Sequence, residues 1–121
     1  MRFLNSKLKI ENTILQNIAK KYGTPAYCYS YKQLRENIND FKKNFRSISP
    51  LICFAIKSNT NLNLIKEIKK FGLGADVVSI GELMAALKSN IHPNKIVFSG
   101  VGKTYDEIKF AVNKRNSVRE K

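Results

Sequence analysis

Apolar positions in the second half of the chain alternate between unbroken runs and helical stripes. The run Leu51-Ile-Cys-Phe-Ala-Ile56 is typical of a strand that is buried on both faces in a parallel sheet. Two further runs, over residues 75–78 and 95–98, predict two more short strands. Apolar residues at three- and four-residue spacing predict helices over residues 62–71, over residues 81–90 and after Thr104.

The first half of the chain predicts two helices and one strand. Residues 11–22 place their apolar side chains on one helical stripe, which Gly23 ends. Residues 26–29 form a short run that predicts a strand, and Ser30 is a candidate N-cap for a second helix. The apolar positions of this second helix are Tyr31, Leu34, Ile38, Phe41 and Phe45.

From residue 49 onward, the predicted order is strand then helix, three times over. Short connections between alternating elements favour parallel βαβ units with right-handed crossovers. The last helix is expected to begin with a capping box formed by Thr104 and Glu107. Three such units are too few to close a barrel.

Lys57 directly follows the first of these strands. Burial of an unpaired ammonium group is unfavourable, so a lysine at the end of a buried strand is unusual. A lysine kept neutral in such a place can attack a carbonyl and hold an aldehyde cofactor as a Schiff base. The alternative is that Lys57 simply extends from the strand end into water.

Asp76 lies near the start of the second predicted strand. A carboxylate inside an apolar strand requires a partner, and a parallel arrangement would bring Asp76 close to the strand that precedes Lys57. The alternative is an aspartate with a turn or capping role after Gly74.

Composition and charge narrow the classes of partner. The 121 residues are 43% apolar, which is enough for the core of one small domain. The net charge is +13, but the 17 lysines and 5 arginines are scattered along the chain, so no specific nucleic-acid partner is expected. No apolar run approaches the ~18 residues of a membrane span, and the start lacks a signal-peptide core. We therefore expect a cytoplasmic protein without a membrane partner.

Other candidate sites fail on composition or spacing. Residues 99–104, Ser-Gly-Val-Gly-Lys-Thr, end like a phosphate-binding loop, but the first glycine of that motif would fall on Val97. The single histidine, His92, precedes a proline in a predicted turn, so neither a zinc site nor a catalytic triad can be built. Cys28 and Cys53 lie in apolar runs and are expected to be buried, reduced thiols with no metal.

Three segments together resemble a known family in order and spacing. They are AIKSNTN at residues 55–61, GLGADVVSIGEL at residues 72–83 and VFSGVGKT at residues 97–104. The family that they resemble is diaminopimelate decarboxylase, within the fold-type III pyridoxal-phosphate decarboxylases. The resemblance extends from about residue 22 to residue 113, and the last two segments favour the diaminopimelate branch.

The resemblance implies an α/β fold, namely a partial (β/α)8 TIM-type barrel of the alanine racemase-like, fold-type III class. About three of the eight βα units are present. Residues 1–48 would supply an N-terminal helix, an entry strand and a lead-in helix, and residues 49–113 the first three βα units. Residues 114–121 would form a tail outside the family pattern, as expected of a truncated gene product.

The resemblance also implies a cofactor, a reaction and two site residues. The cofactor is pyridoxal 5'-phosphate, and the reaction is decarboxylation of meso-diaminopimelate to L-lysine by a homodimer. Lys57 matches the catalytic, cofactor-binding Schiff-base lysine, and Asp76 matches an aspartate beside the cofactor. The family's phosphate cradle, ring acid and substrate-binding residues would lie beyond residue 121.

Two alternatives remain open. The chain could be an inactive remnant or a cofactor-binding fragment without catalysis, or it could belong to an ornithine or arginine decarboxylase of the same fold. The residues that would recognise the substrate are absent from the matched segments, so the choice between the diaminopimelate branch and the ornithine or arginine branch stays open. Three strands of a barrel are expected to leave two unpaired edges and an uncovered inner face.

Overall fold

A computed structural model describes the fold over residues 2–4, 7–45 and 47–119. The chain divides into two compact units, Met1–Ile48 and Ser49–Lys121, and each has its own sheet and its own helices. Within the part of the chain that is described, none of the helices combines the length and the apolar character needed to cross a bilayer.

The first unit begins with a three-stranded antiparallel sheet. Its strands are β1 (Arg2–Leu4), β2 (Lys7–Ile10) and β3 (Thr13–Ile14), in that spatial order. The turn between β2 and β3 holds Glu11 in the left-handed region, with φ of 52°. This sheet was not predicted from the sequence, although the Lys-Leu-Lys-Ile alternation of β2 has the two-residue period of a strand.

Two helices follow in the first unit, α1 (Leu15–Tyr22) and α2 (Tyr31–Lys43). The predicted end of α1 is confirmed, because Gly23 follows it with φ of 82°. Helix α1 begins four residues later than predicted, since residues 13–14 belong to β3. The predicted cap of α2 is also confirmed, because Ser30 Oγ accepts a hydrogen bond of 3.0 Å from the N–H of Gln33.

The strand predicted over residues 26–29 is wrong. This segment has no regular secondary structure, and it has no ladder partner among the residues that the structure describes. A strand needs a neighbour for its N–H and C=O groups, and an apolar run alone does not supply one. Tyr27 is accordingly 90% exposed. Cys28 is a free thiol, as predicted, but it is half-buried rather than buried.

The second unit contains a three-stranded parallel sheet with a helix after each strand. The strands are β4 (Cys53–Ala55), β5 (Gly74–Val77) and β6 (Ile96–Phe98), in the order β4-β5-β6. The helices are α3 (Leu62–Lys70), α4 (Ile80–Lys88) and α5 (Tyr105–Arg119). The predicted parallel βα order is therefore confirmed. Within the described part of the chain, β4 and β6 each keep one unpaired edge.

The core of this unit lies on one side of its sheet. Ala75 and Val77 of β5 are fully buried there, and side chains from the helices and loops pack against them: Ile56, Ile65, Leu83, Ala86 and Ile91. The opposite side of the sheet carries Val97 of β6, which is 46% exposed. The expectation that the first strand is buried on both faces is therefore wrong. Its residues are only half-buried, because the helices of this unit cover one face of the sheet.

Gly74 allows β5 to lie close to the start of β6. Its N–H donates a hydrogen bond of 2.9 Å to the carbonyl of Ile52, which aligns β5 with β4. A Cβ atom at this position would overlap the carbonyl oxygen of Lys95 and come within 3.0 Å of Cys53 Sγ. Only glycine therefore fits at the point where the three strands begin.

Helix α5 begins with the predicted capping box. The Thr104 N–H donates to Glu107 Oε2 at 2.8 Å, and the Glu107 N–H donates to Thr104 Oγ1 at 3.3 Å. The helix then continues to Arg119, so residues 114–119 extend it and do not form a separate tail. Residues 120 and 121, at the end of the predicted tail, lie outside the described residues.

Candidate functional site

The candidate site lies at the carboxyl ends of the three parallel strands. In a parallel sheet these ends meet at one edge, which is where α/β folds carry most of their chemistry. The segments that follow the strands here are a 3₁₀ turn over Ile56–Ser58, the loop after Val77 and the loop that begins at Ser99.

Lys57 lies in the 3₁₀ turn that directly follows β4, and this strand ends one residue earlier than the apolar run predicted. Strand β4 ends at Ala55, whose carbonyl accepts a hydrogen bond of 2.8 Å from Ser58 Oγ. Ile56 is fully buried and anchors the turn. The backbone around Lys57 is therefore held on both sides, while its side chain is exposed. Among the described residues, no hydrogen bond or ion pair engages its amino group.

Asp76 is on the neighbouring strand, as expected for a parallel sheet. It is the register partner of Ala55 on β4 and of Val97 on β6. The side chain is half-buried, and its Oδ1 accepts a hydrogen bond of 2.5 Å from Ser99 Oγ. In the described part of the chain, no ion pair within 4.0 Å joins Asp76 to Lys57. The two side chains thus occupy adjacent strand ends without direct contact.

Ser99 is a site residue that the sequence reasoning missed. Its N–H donates a hydrogen bond of 2.9 Å to the carbonyl of Val77, which carries the β5–β6 ladder past the end of β6. Its hydroxyl reaches Asp76. Ser99 is the first residue of segment 99–104, which resembled an incomplete phosphate-binding loop, and this resemblance drew attention away from its hydroxyl.

The lysine of that segment, Lys103, is directed at the backbone. Its Nζ donates to the carbonyl of Ser99 at 2.9 Å and also to the carbonyl of Gly100, and it lies 5.3 Å from the ring centroid of Phe98. A charged amine engaged with carbonyl oxygens holds the loop closed after β6.

Cys53 shares the sheet face that carries Asp76. It lies two residues before Ala55, and side chains two residues apart on a strand point to the same side. The thiol is free and half-buried, rather than buried as predicted. Burial raises the pKa of the Cys53 thiol above its ordinary value, and the charge of Asp76 adds to that increase. The pKa of the Cys53 thiol therefore depends on the charge of Asp76.

Comparison with known proteins assigns this chain to a family. Residues 31–119 match the family described as "Pyridoxal-dependent decarboxylase, pyridoxal binding domain", and this segment contains both Lys57 and Asp76. The chain belongs to this family. The match extends six residues beyond residue 113, where the family resemblance was expected to end.

Several proteins that this chain resembles are diaminopimelate decarboxylases. The enzyme of Aquifex aeolicus (strain VF5) is 41% identical over 113 residues, which cover 93% of this chain and 26% of the relative. A crystal structure of diaminopimelate decarboxylase from M. jannaschii superposes with a TM-score of 0.88 at 34% identity, covering 93% of this chain and 27% of that one. The structure from Helicobacter pylori, complexed with L-lysine, has a TM-score of 0.79 at 38% identity, covering 84% and 26%.

These comparisons confirm the predicted family and fold. The chain is an α/β partial barrel of the fold-type III pyridoxal-phosphate decarboxylase class. It spans about a quarter of the length of the relatives that it matches.

Proposed function

We propose that this chain forms the first part of the cofactor-binding barrel of a diaminopimelate decarboxylase. In that enzyme Lys57 would bind pyridoxal 5'-phosphate covalently, and the overall reaction would convert meso-diaminopimelate to L-lysine and carbon dioxide. The observation that carries the proposal is the position of Lys57, an exposed amine on a fixed turn at the carboxyl edge of a parallel sheet. A half-buried carboxylate on the next strand supports it.

The residues at this edge suit an aldehyde cofactor. A primary amine that is engaged by no other described residue is the group that bonds a carbonyl carbon. The turn that carries Lys57 is held by the Ser58 hydrogen bond and by the buried Ile56. The backbone therefore limits where the amine can reach, while the side chain keeps the freedom that attachment and release require.

Two residues would have distinct roles at the cofactor. Lys57 would attach the cofactor through Nζ and orient it over the carboxyl edge of the sheet. Asp76 would hold the lysine ammonium in place by charge whenever the lysine is released from the cofactor. When bound, pyridoxal phosphate supplies the ring that accepts the electron pair left behind by departing carbon dioxide.

The substrate assignment rests on the relatives. Those reported above are diaminopimelate decarboxylases at 34–41% identity, and the Helicobacter pylori structure holds L-lysine, which is the expected product. The ornithine or arginine branch is the competing substrate class. A homodimer is proposed by the same likeness, as is the division into a lead-in part, residues 1–48, and a barrel part that begins at residue 49.

A chimeric enzyme tests the proposed activity. The segment of the Aquifex aeolicus decarboxylase that aligns with this chain would be replaced by this chain, and lysine formation from meso-diaminopimelate would be measured. We expect the chimera to form L-lysine in the presence of pyridoxal phosphate. Ornithine and arginine serve as competing substrates, and a preference for either would overturn the substrate assignment.

The matched control for the chimera is Lys57→Arg, with Lys66→Arg as the comparison. Arginine keeps the positive charge but does not form the bond to an aldehyde that lysine forms, so Lys57→Arg should abolish activity. Lys66 is an exposed lysine of α3, and its replacement should leave activity unchanged. Equal activity in the two variants would contradict a role for Lys57. The same assay on the 121-residue chain alone distinguishes an enzyme from a cofactor-binding module.

A further inference from the structure

Ser99 is bonded through all three of its polar groups. Its N–H donates to Val77, its carbonyl accepts from Lys103, and its hydroxyl donates to Asp76. The first two bonds fix its backbone at the end of β6. The direction of the hydroxyl is then set by the carboxylate of Asp76, which it reaches at 2.5 Å.

The bond from Ser99 occupies one oxygen of the carboxylate and leaves the other available. Oδ1 of Asp76 accepts the hydroxyl, whereas Oδ2 has no hydrogen-bond partner among the described residues. A carboxylate held through one oxygen by a short O–H···O bond loses most of its rotational freedom. The strand register places this carboxylate beside Ala55, two residues before Lys57.

We propose that Ser99 is a positioning residue, which holds the carboxylate of Asp76 so that Oδ2 is available to the amine of Lys57. Ser99 touches neither the cofactor nor the substrate in this role and acts only through Asp76. The inference rests on the proposed function, because it concerns the same lysine and the same cofactor. It adds to the site one residue, Ser99, and one hydrogen bond, from Ser99 Oγ to Asp76 Oδ1, that neither the motifs nor the strand order indicated.

The proposal is tested by trapping the cofactor on the 121-residue chain. Protein is incubated with limiting pyridoxal phosphate and reduced with borohydride, and the fraction of Lys57 that carries the label is measured by peptide mass spectrometry. We expect Ser99→Ala to lower this fraction about two- to tenfold, the range that the net contribution of a typical single hydrogen bond supports. Asp76→Asn is expected to lower it by at least as much.

The double variant distinguishes positioning from an independent effect. If Ser99 acts only through Asp76, Ser99→Ala should have no further effect once Asp76→Asn is present. A further loss of label in the double variant would overturn the proposal. So would wild-type labelling of Lys57 in Ser99→Ala.

The thiol of Cys53 provides a second readout that does not involve the cofactor. In a Cys28→Ser background, the pH midpoint of Cys53 alkylation reports the charge of Asp76, because that charge helps to raise the thiol pKa. Asp76→Asn should lower the midpoint, whereas Ser99→Ala leaves the carboxylate charged and should leave the midpoint raised. A Ser99→Ala midpoint as low as that of Asp76→Asn would contradict a role limited to orienting the carboxylate.

A pair of variants of equal shape keeps the test valid if Ser99→Ala does not fold. Threonine and valine have nearly the same shape and differ in the hydroxyl, so Ser99→Thr should retain the labelling that Ser99→Val loses. Equal labelling in these two variants would overturn the proposal.

Failure of the proposed function has a different signature. If Lys57→Arg leaves the total incorporation of label unchanged, Lys57 is not the cofactor lysine and the proposed function fails. If Lys57 is labelled selectively but Asp76→Asn has no effect, the proposed function stands and the positioning role is wrong.

Discussion

Ala55 on strand β4 is the register partner of Asp76 on strand β5. This pairing explains how Lys57 and Asp76, which are 19 positions apart in the sequence, contribute to one site, because Lys57 follows Ala55 by only two residues. The carboxyl edge of the sheet therefore combines an amine from one βα unit with a carboxylate from the next.

Gly74 is required by the close approach of the carbonyl of Lys95. In Gly74→Ala the added Cβ would overlap that oxygen, so β5 or the turn before β6 must move. We expect the free energy of unfolding to fall by about 1–3 kcal/mol, as is usual for overpacking at a tight position. Urea unfolding followed by circular dichroism measures this change. The matched control is Gly102→Ala, because a Cβ at Gly102 meets no atom within 4 Å. Equal losses in the two variants would contradict the steric account.

The capping box of α5 predicts a cooperative loss of stability. Thr104→Ala removes the N-cap acceptor and should lower the free energy of unfolding by about 1 kcal/mol. Glu107→Gln weakens the reciprocal bond to the same residue, so the effects of the two variants should not add. Thr60→Ala, at an exposed position before α3, serves as the control. If the losses in the free energy of unfolding simply added in the double variant, the capping box would be contradicted.

Glu11 predicts a dependence of the first unit on acid pH. Its Oε1 accepts hydrogen bonds from the N–H of Lys32 at 2.7 Å and from Ser30 Oγ at 2.8 Å. These bonds, with that from Lys32 the larger influence, lower the pKa of Glu11 below its ordinary value of 4.5. A carboxyl group with a lowered folded-state pKa stabilises the fold above its unfolded-state pKa, and that stability is lost as the pH falls through the lowered value.

The variant Glu11→Gln should therefore flatten the acid side of the stability profile. Urea midpoints measured from neutral pH down to below pH 4.5 would show a smaller decrease in the variant than in the wild type. Parallel profiles for the two proteins would show that the carboxylate does not bind the start of α2 as the structure indicates.

The sequence predicted the second unit more accurately than the first, and the reason is physical. Each βα unit there has a dense apolar run followed by an amphipathic stripe, so local pattern and tertiary packing agree. Boundaries in the second unit shifted by one or two residues. Ser79, for example, caps α4 with its side chain and starts that helix one residue before the predicted position. The antiparallel sheet of the first unit rests on short strands of two to four residues, whose pairing a local pattern does not encode.

The sequence singled out the candidate site residues that are unusual in their local sequence context. Lys57 and Asp76 stood out because each is a charged residue in an apolar context. Ser99 did not, because serine is common in loops and its value here depends on the β5–β6 register. The exposure of Lys57 agrees with the alternative in which its side chain extends into water. The 3₁₀ turn after Ala55 that carries it is held by the Ser58 hydrogen bond and by the buried Ile56.

Lys57 is the lysine that we propose binds pyridoxal phosphate. The most direct measurement is to incubate the 121-residue chain with the cofactor, reduce it with borohydride and locate the label among its 17 lysines by peptide mass spectrometry. We expect preferential labelling of Lys57 at low cofactor concentration, with loss of that label alone in Lys57→Arg. Labelling spread evenly over the lysines, or centred on a lysine other than Lys57, would contradict it.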